Sequence, residues 1–136
     1  MTVGNTILLV CSSQVLIEIT SKILSRAGYS VRSAAGIEGA RELMADYVPD
    51  VILLENELPD GCGLEFCKEL RKHSAVRILL VSGRMEDELP ALSAGANDYI
   101  RKPFDYEILK ARVAIVLNNK VSEAGDFISG AESAAV

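Results

Sequence analysis

The stretch Val51-Ile-Leu-Leu-Glu-Asn-Glu-Leu-Pro-Asp60 runs four aliphatic residues into a carboxylate and then into a polar turn. A short, uninterrupted aliphatic run is what a central strand of a parallel sheet needs, because helices cover both of its faces. Glu55 closes the run, so a charge stands at the carboxyl end of a buried strand. That end is where open α/β sheets gather their ligands.

Working outward, four further strand-like runs accompany this one: Thr6–Val10, Ser30–Ala34, Ile78–Ser82 and Asp98–Arg101. They alternate with segments of helical period, the pattern of βαβ units and a parallel sheet. Leu16, Ile19, Ile23 and Ala27 recur at threes and fours and predict one buried stripe on a first helix that stops before Gly28. Ile37, Ala40, Met44 and Tyr47 repeat the pattern in a second helix that ends at Val48-Pro49. Phe66, Cys67 and Leu70 mark a third helix after the Pro59-Asp-Gly-Cys-Gly63 turn. Asp105 is placed to cap a last helix carrying Ile108, Leu109, Val113 and Val116. Between Ser82-Gly83 and Gly95 only a short fourth helix fits, starting near Glu88 or Leu89 because Pro90 is tolerated only in a first turn. Asp87 and Glu88 suit the dipole of that helix.

With 136 residues, 49% apolar and 24% charged, the chain has enough material for one domain with a core. Its net charge of -5 and the lack of a Lys/Arg cluster argue against a direct nucleic-acid surface. The longest aliphatic runs, Ile7–Val10 and Ile78–Val81, fall far short of the roughly 20 residues that span a bilayer. No signal-peptide pattern opens the chain, so the expected location is cytoplasmic, with no membrane partner. Three cysteines at irregular spacing build neither a disulfide scaffold nor a zinc pattern. Residues 1–119 are expected to form the domain, and residues 120–136, rich in Ala, Ser, Gly and Glu, read as a tail, a linker or a helix extension.

The five strand ends deliver Cys11 and Ser12, then Glu55, Ser82, and Lys102 with Pro103. A carboxylate, a hydroxyl and an ammonium group converge there. These residues, with Leu58-Pro-Asp-Gly61, Ala94-Gly-Ala-Asn-Asp-Tyr99 and Lys102-Pro-Phe104, make the chain from Thr6 to about Asn118 resemble the receiver domain of bacterial two-component response regulators. The resemblance implies a flavodoxin-like, doubly wound, five-stranded parallel sheet in the order 2-1-3-4-5. Helices one and five would cover one face and helices two to four the other.

In that family an aspartate at the end of the third strand accepts a phosphoryl group from a histidine kinase. Two acidic residues after the first strand help hold the Mg²⁺ that the transfer needs. A Ser or Thr after the fourth strand, an aromatic residue in the fifth and a Lys after it complete the switch. Ser82, Tyr99 and Lys102 stand at those last three positions, and a cis Lys102-Pro103 bond is implied. Glu55 stands at the phosphoacceptor position, and Cys11 and Ser12 stand at the acidic pair. A thiol and a hydroxyl in place of two acids remove two formal charges, so Mg²⁺ binding is expected to be weak or absent and no cofactor is expected. The extra methylene of Glu55 displaces its oxygens, and in-line phosphoryl transfer depends on positioning. The same reach carries its carboxylate toward Lys102 and Ser82, as a fixed stand-in for an aspartyl phosphate with less charge and fewer oxygens.

The expected function is therefore signal transduction by a pseudo-receiver that is not an enzyme. It would contact a protein partner or a C-terminal output domain through the face of helix four, strand five and helix five, with homodimers open on the same face. Two alternatives stand beside it. One is weak Mg²⁺-dependent autophosphorylation at Glu55 or Ser12. The other is a redox sensor built from Cys11 and Cys62, with Lys102 lowering a thiol pKa. A metal site from Cys11, Cys62 and His73 is disfavoured because His73 falls at the far end of the third helix.

Overall fold

The computed structural model of the protein describes residues 5–118, so the expected tail from residue 120 lies outside the described residues. Five parallel strands form the sheet: β1 (Thr6–Val10), β2 (Ser30–Ala34), β3 (Val51–Glu55), β4 (Arg77–Ser82) and β5 (Asp98–Arg101). Their spatial order is β2-β1-β3-β4-β5, the expected one. The helices between them are α1 (Gln14–Arg26), α2 (Ile37–Met44), α3 (Gly63–Arg71), α4 (Glu88–Ser93) and α5 (Tyr106–Asn118).

Strand periodicity divides the aliphatic runs between two cores. Leu8, Val10, Ile52, Leu54, Ile78 and Leu80 face α2, α3 and α4, where Phe66, Cys67 and Ala91 complete the packing. Ile7, Leu9, Val51, Leu53, Leu79 and Val81 face α1 and α5, where Ile17, Leu24, Leu109 and Val113 meet them. Both faces of the central strands are thus dry, which is why their sequence does not alternate with polar residues.

Two helical expectations need correction. The buried stripe of α1 is Ile17, Thr20 and Leu24, whereas Leu16 and Ile19 are exposed on its flank. Thr20 belongs to the buried stripe because its hydroxyl meets the Tyr106 hydroxyl at 3.3 Å, and a pattern of apolar residues alone skips it. Helix α2 stops at Met44, one turn early, and Tyr47 packs against the core from the loop beyond it. The guanidinium of Arg32 lies over the Tyr47 ring, 4.4 Å from its centroid.

Between β3 and α3 the chain makes a two-residue hairpin, Glu57–Leu58 against Gly61–Cys62. It swings Asp60 out to α2, where its carboxylate accepts from the amides of Ile37 at 2.9 Å and Glu38 at 3.0 Å. Helix α2 has no side-chain cap of its own, because Gly36 stands at its N-cap. Asp60 satisfies two otherwise unpaired amides from another segment. Those two amides hold its carboxyl below the ordinary aspartate range.

Candidate functional site

Strand geometry places Glu55 and Val81 side by side at the carboxyl edge, with Ser82 one residue further and paired with Arg101. Lys102 follows β5 directly, and its bond to Pro103 is cis. Its ammonium group bonds one Glu55 oxygen, Oε2. The other oxygen, Oε1, accepts from the Ser12 amide at 3.4 Å. Both Glu55 oxygens therefore have donors, one from each neighbouring loop. The loop after β3 is pulled tight against the strand end by Gly63, where a Cβ would come within 2.5 Å of the Glu55 carbonyl oxygen.

Cys11 lies at the same edge but is buried among the α1 and α5 side chains, its Sγ 3.9 Å from the Ser13 carbonyl. Burial pushes its thiol pKa up; the Ser13 contact and Lys102 oppose that shift, while the Glu55 charge adds to it. Lys102 thus lowers the pKa of this thiol in the expected direction, but burial outweighs it and the thiol is not activated. Cys62 stands before α3 on the opposite side of the sheet, and all three cysteines are free. A small cavity of about 40 Å³, walled by Leu9, Cys11, Leu53 and Phe104, opens beside Glu55 and Lys102. It has room for water and little else.

The expected approach of Glu55 to Ser82 is not what forms. The Ser82 hydroxyl is buried and donates to Asp87 Oδ2 at 2.6 Å, and it accepts from the Arg84 amide at 3.2 Å. Asp87 also accepts from Asn56 Nδ2 at 3.1 Å, and the Arg84 guanidinium lies 3.5 Å from its other oxygen. Tyr99 is buried beneath this loop and its hydroxyl donates to the Arg84 carbonyl. Burial pushes the Tyr99 phenol pKa up, against a lowering by the Ser82 hydroxyl. Asp87 is therefore a buried hub, only 9% exposed, where the helix dipole alone would explain a solvated acid.

Asn56, directly after Glu55, carries no distinctive signal in the sequence. Its side-chain carbonyl accepts from the Leu64 amide at 2.9 Å, its backbone carbonyl accepts from the Gly63 amide at 2.7 Å, and its own amide donates to the Val81 carbonyl at 2.8 Å. It joins β3, β4, α3 and the loop before α4. The only available signal was an amide side chain placed directly after a buried strand, which many turns share.

Mg²⁺, which the resemblance implies, does not fit these donors. Glu55 is the one carboxylate among the strand-end residues Cys11, Ser12 and Glu55, and Lys102 already neutralises it. Mg²⁺ takes hard oxygen ligands, and a buried thiol is not one. Among the described residues no group of three His, Cys, Asp or Glu side chains gathers closely enough to hold a metal ion. No helix among them is long and apolar enough to cross a membrane.

A family model described as response regulator receiver domain matches residues 7–114. The KDP operon transcriptional regulatory protein KdpE of Escherichia coli K12 is 37% identical over 113 residues, 82% of this chain and 50% of that protein. The transcriptional regulatory protein CseB of Streptomyces coelicolor is 36% identical over 132 residues, 94% of this chain and 56% of that protein. The chain spans about half the length of the curated relatives it matches. Among solved structures, a two-component response regulator from Clostridium difficile superposes with a TM-score of 0.81 at 29% identity, covering 88% of this chain and 100% of that one. The receiver domain of the TMAO respiratory system response regulator TorR gives 0.79 at 35% identity, covering 84% and 97%.

Proposed function

The chain belongs to the response regulator receiver domain family, and from that premise we propose that it signals as a largely phosphorylation-independent interaction module, a pseudo-receiver that acts by binding and not by catalysis. The observation that carries this reading is the Glu55–Lys102 pair: the carboxylate at the acceptor position is one methylene longer than aspartate and already holds the lysine. A receiver primed for transfer needs that lysine for an incoming phosphoryl oxygen and needs acids for Mg²⁺. Here the lysine is engaged, and Cys11 and Ser12 replace the acids.

Glu55 imitates part of a phosphorylated aspartate. Its two oxygens serve Lys102 and the Ser12 amide, two donors from the flanking loops. A phosphoryl group brings three oxygens and about two charges, so a third contact, to Ser82, is beyond a carboxylate so placed. The module consequently rests in one fixed arrangement. Its contact surface is the face of α4, β5 and α5; Leu89 and Leu92 on α4 and Ile108 on α5 are exposed, as is Met85 in the turn before α4. Exposed large apolar side chains mark interaction sites where they join into one patch. The occupant is an output domain further along the chain, as the transcriptional-regulator names of the longer relatives suggest, or a separate protein in the cytoplasm; a second copy of the chain is open on the same face.

The test is to treat the protein with a small-molecule phosphodonor and Mg²⁺ and follow intact mass, and to titrate Mg²⁺ with beryllofluoride by NMR. No adduct, and no shifts at Glu55, Ser82, Tyr99 and Lys102, is the expected result. A stable Mg²⁺-dependent phosphoryl adduct would overturn the reading in favour of weak autophosphorylation.

A further inference from the structure

The third contact that Glu55 cannot make is supplied from elsewhere. Ser82 ends β4, and its hydroxyl points its proton at Asp87, five residues on, across the 3-10 turn Met85–Asp87. The same carboxylate oxygen takes the Asn56 amide, and Asn56 is the residue after Glu55. The Arg84 amide returns a hydrogen bond to Ser82, and the Arg84 carbonyl takes the Tyr99 hydroxyl. One buried carboxylate therefore ties together the ends of β3 and β4, the loop before α4 and, through Arg84, the ring of Tyr99.

We propose that Asp87 is a positioning residue, a built-in anion that holds the Ser82 hydroxyl away from Glu55 and keeps Tyr99 turned inward, so that the apolar surface before and on α4 has one fixed shape. Asp87 is 9% exposed while Met85 and Leu89, two residues to either side, are 64% and 75% exposed. Alternation over so short a segment means that the anchor and the displayed residues share one turn of backbone. Whatever fixes Asp87 fixes the presentation of Met85, Leu89 and, a turn later, Leu92. The inference deepens the reading above and rests on it, because an interaction module without a phosphoryl switch needs another source of order at this loop. The geometry supplies it: the Ser82 hydroxyl already has an acceptor at 2.6 Å, so a move to the Glu55 side must first break that bond.

The test uses the whole 136-residue chain and the variants D87A, D87L, S82A, E55Q and D87A/S82A, read by NMR of the Tyr99 ring and by amide exchange at Arg84. D87L fills the space without an acceptor and serves if D87A does not fold. Both are expected to shift the Tyr99 ring resonances and to speed exchange at Arg84 roughly tenfold, the change that follows loss of one hydrogen bond of ordinary net worth. In the S82A background, D87A should add little to exchange of the Arg84 amide, since that amide bonds Ser82 and only the Arg84 guanidinium reaches Asp87 directly. E55Q should leave Tyr99 in place. Unchanged Tyr99 and Arg84 in D87A or D87L, a full D87A effect in the S82A background, or an E55Q response as large as that of D87A would each overturn the proposal. The phosphodonor experiment reads the underlying function separately. An adduct on the native chain would sink that reading whatever Asp87 does, and inert Asp87 variants without an adduct would sink this one alone.

Discussion

Two acidic groups stand at the carboxyl edge of the same sheet and behave differently. Glu55 sits at the mouth of the site with Lys102, whose side chain is 29% exposed against 11% for the glutamate, and its remaining contact is a long one to the Ser12 amide. Asp87 lies along the same edge with a side chain just as covered, 12% exposed, and accepts from Ser82 and Asn56 with Arg84 close by. The Glu55 pair is partly buried, and such a pair gains little net stability because desolvation of the two charges offsets their attraction. A buried acceptor whose donors have no other partner is costly to remove, because the donors are left desolvated. The difference teaches that two equally covered carboxylates on one edge are satisfied in different ways: Glu55 by one charged partner and one long amide contact, Asp87 by neutral donors from the ends of β3 and β4.

The sharpest way to break this comparison is to give the Glu55 side its acids back. Ser12→Asp together with Glu55→Asp supplies two carboxylates where there was one engaged glutamate, and Mg²⁺ usually needs one or two. Saturable Mg²⁺ and beryllofluoride shifts are expected in this double variant and absent from the native chain. If the native chain already shows them, the two halves do not differ in the way described.

Removing the linker on the Asp87 side should have the largest effect on stability. Asn56→Ala strips a donor from Asp87 and an acceptor from the Leu64 amide, and should cost about 2–3 kcal/mol in urea unfolding, with little dependence on salt. By contrast Lys102→Met, which keeps the apolar stem, removes a charge that is 29% exposed, so its loss should shrink as salt is added. An equal salt response in the two variants would erase the distinction.

Thiol labelling adds a kinetic version of the same contrast. Cys11 and Cys67 are buried and their thiols are pushed up by desolvation, so at mildly alkaline pH the half-exposed Cys62 should be alkylated first, as peptide mapping would show. Rapid Cys11 labelling, or a Cys11–Cys62 disulfide under mild oxidant, would return weight to a redox role.

The smallest expected effect concerns Asp60. Its carboxyl is held below the ordinary value by two α2 amides, so its contribution is present above the pKa of an unfolded aspartate. That contribution is lost as pH falls through the lower folded value. Asp60→Asn should remove this part of the acid dependence, and thermal melts at neutral and at low pH would show the difference between variant and native chain narrowing as the pH drops.

How far the fold could be read in advance follows from the kind of signal each element carries. The five strands were legible because each is a short run bounded by turn residues, and β1, β2 and β5 begin and end where their patterns do. The start of α4 was legible too, since Pro90 confines it. The α1 stripe was misplaced by one position because Thr20 is a polar member of a buried face, and hydropathy alone cannot show that Tyr106 will meet its hydroxyl. The Glu55–Lys102 contact was readable from strand-end logic, since both residues leave adjacent parts of one edge. The direction of Ser82 was not, because a hydroxyl turns toward whichever acceptor lies nearer, and Asp87 looked like any solvated acid at a helix start.

The sequence by itself determined the layered α/β architecture, the two-core division of the strands and the set of groups that meet at the carboxyl edge, because period and strand polarity act locally and repeat along the chain. Only the tertiary structure decided which of those groups bond one another. Asp60 finds α2 across 22 residues, Asn56 finds Asp87 across 31, and Glu55 finds Lys102 across 47. Such pairings depend on where the packed cores bring backbone segments together and on which acceptor is nearest once they arrive, and neither distance leaves a trace in local sequence.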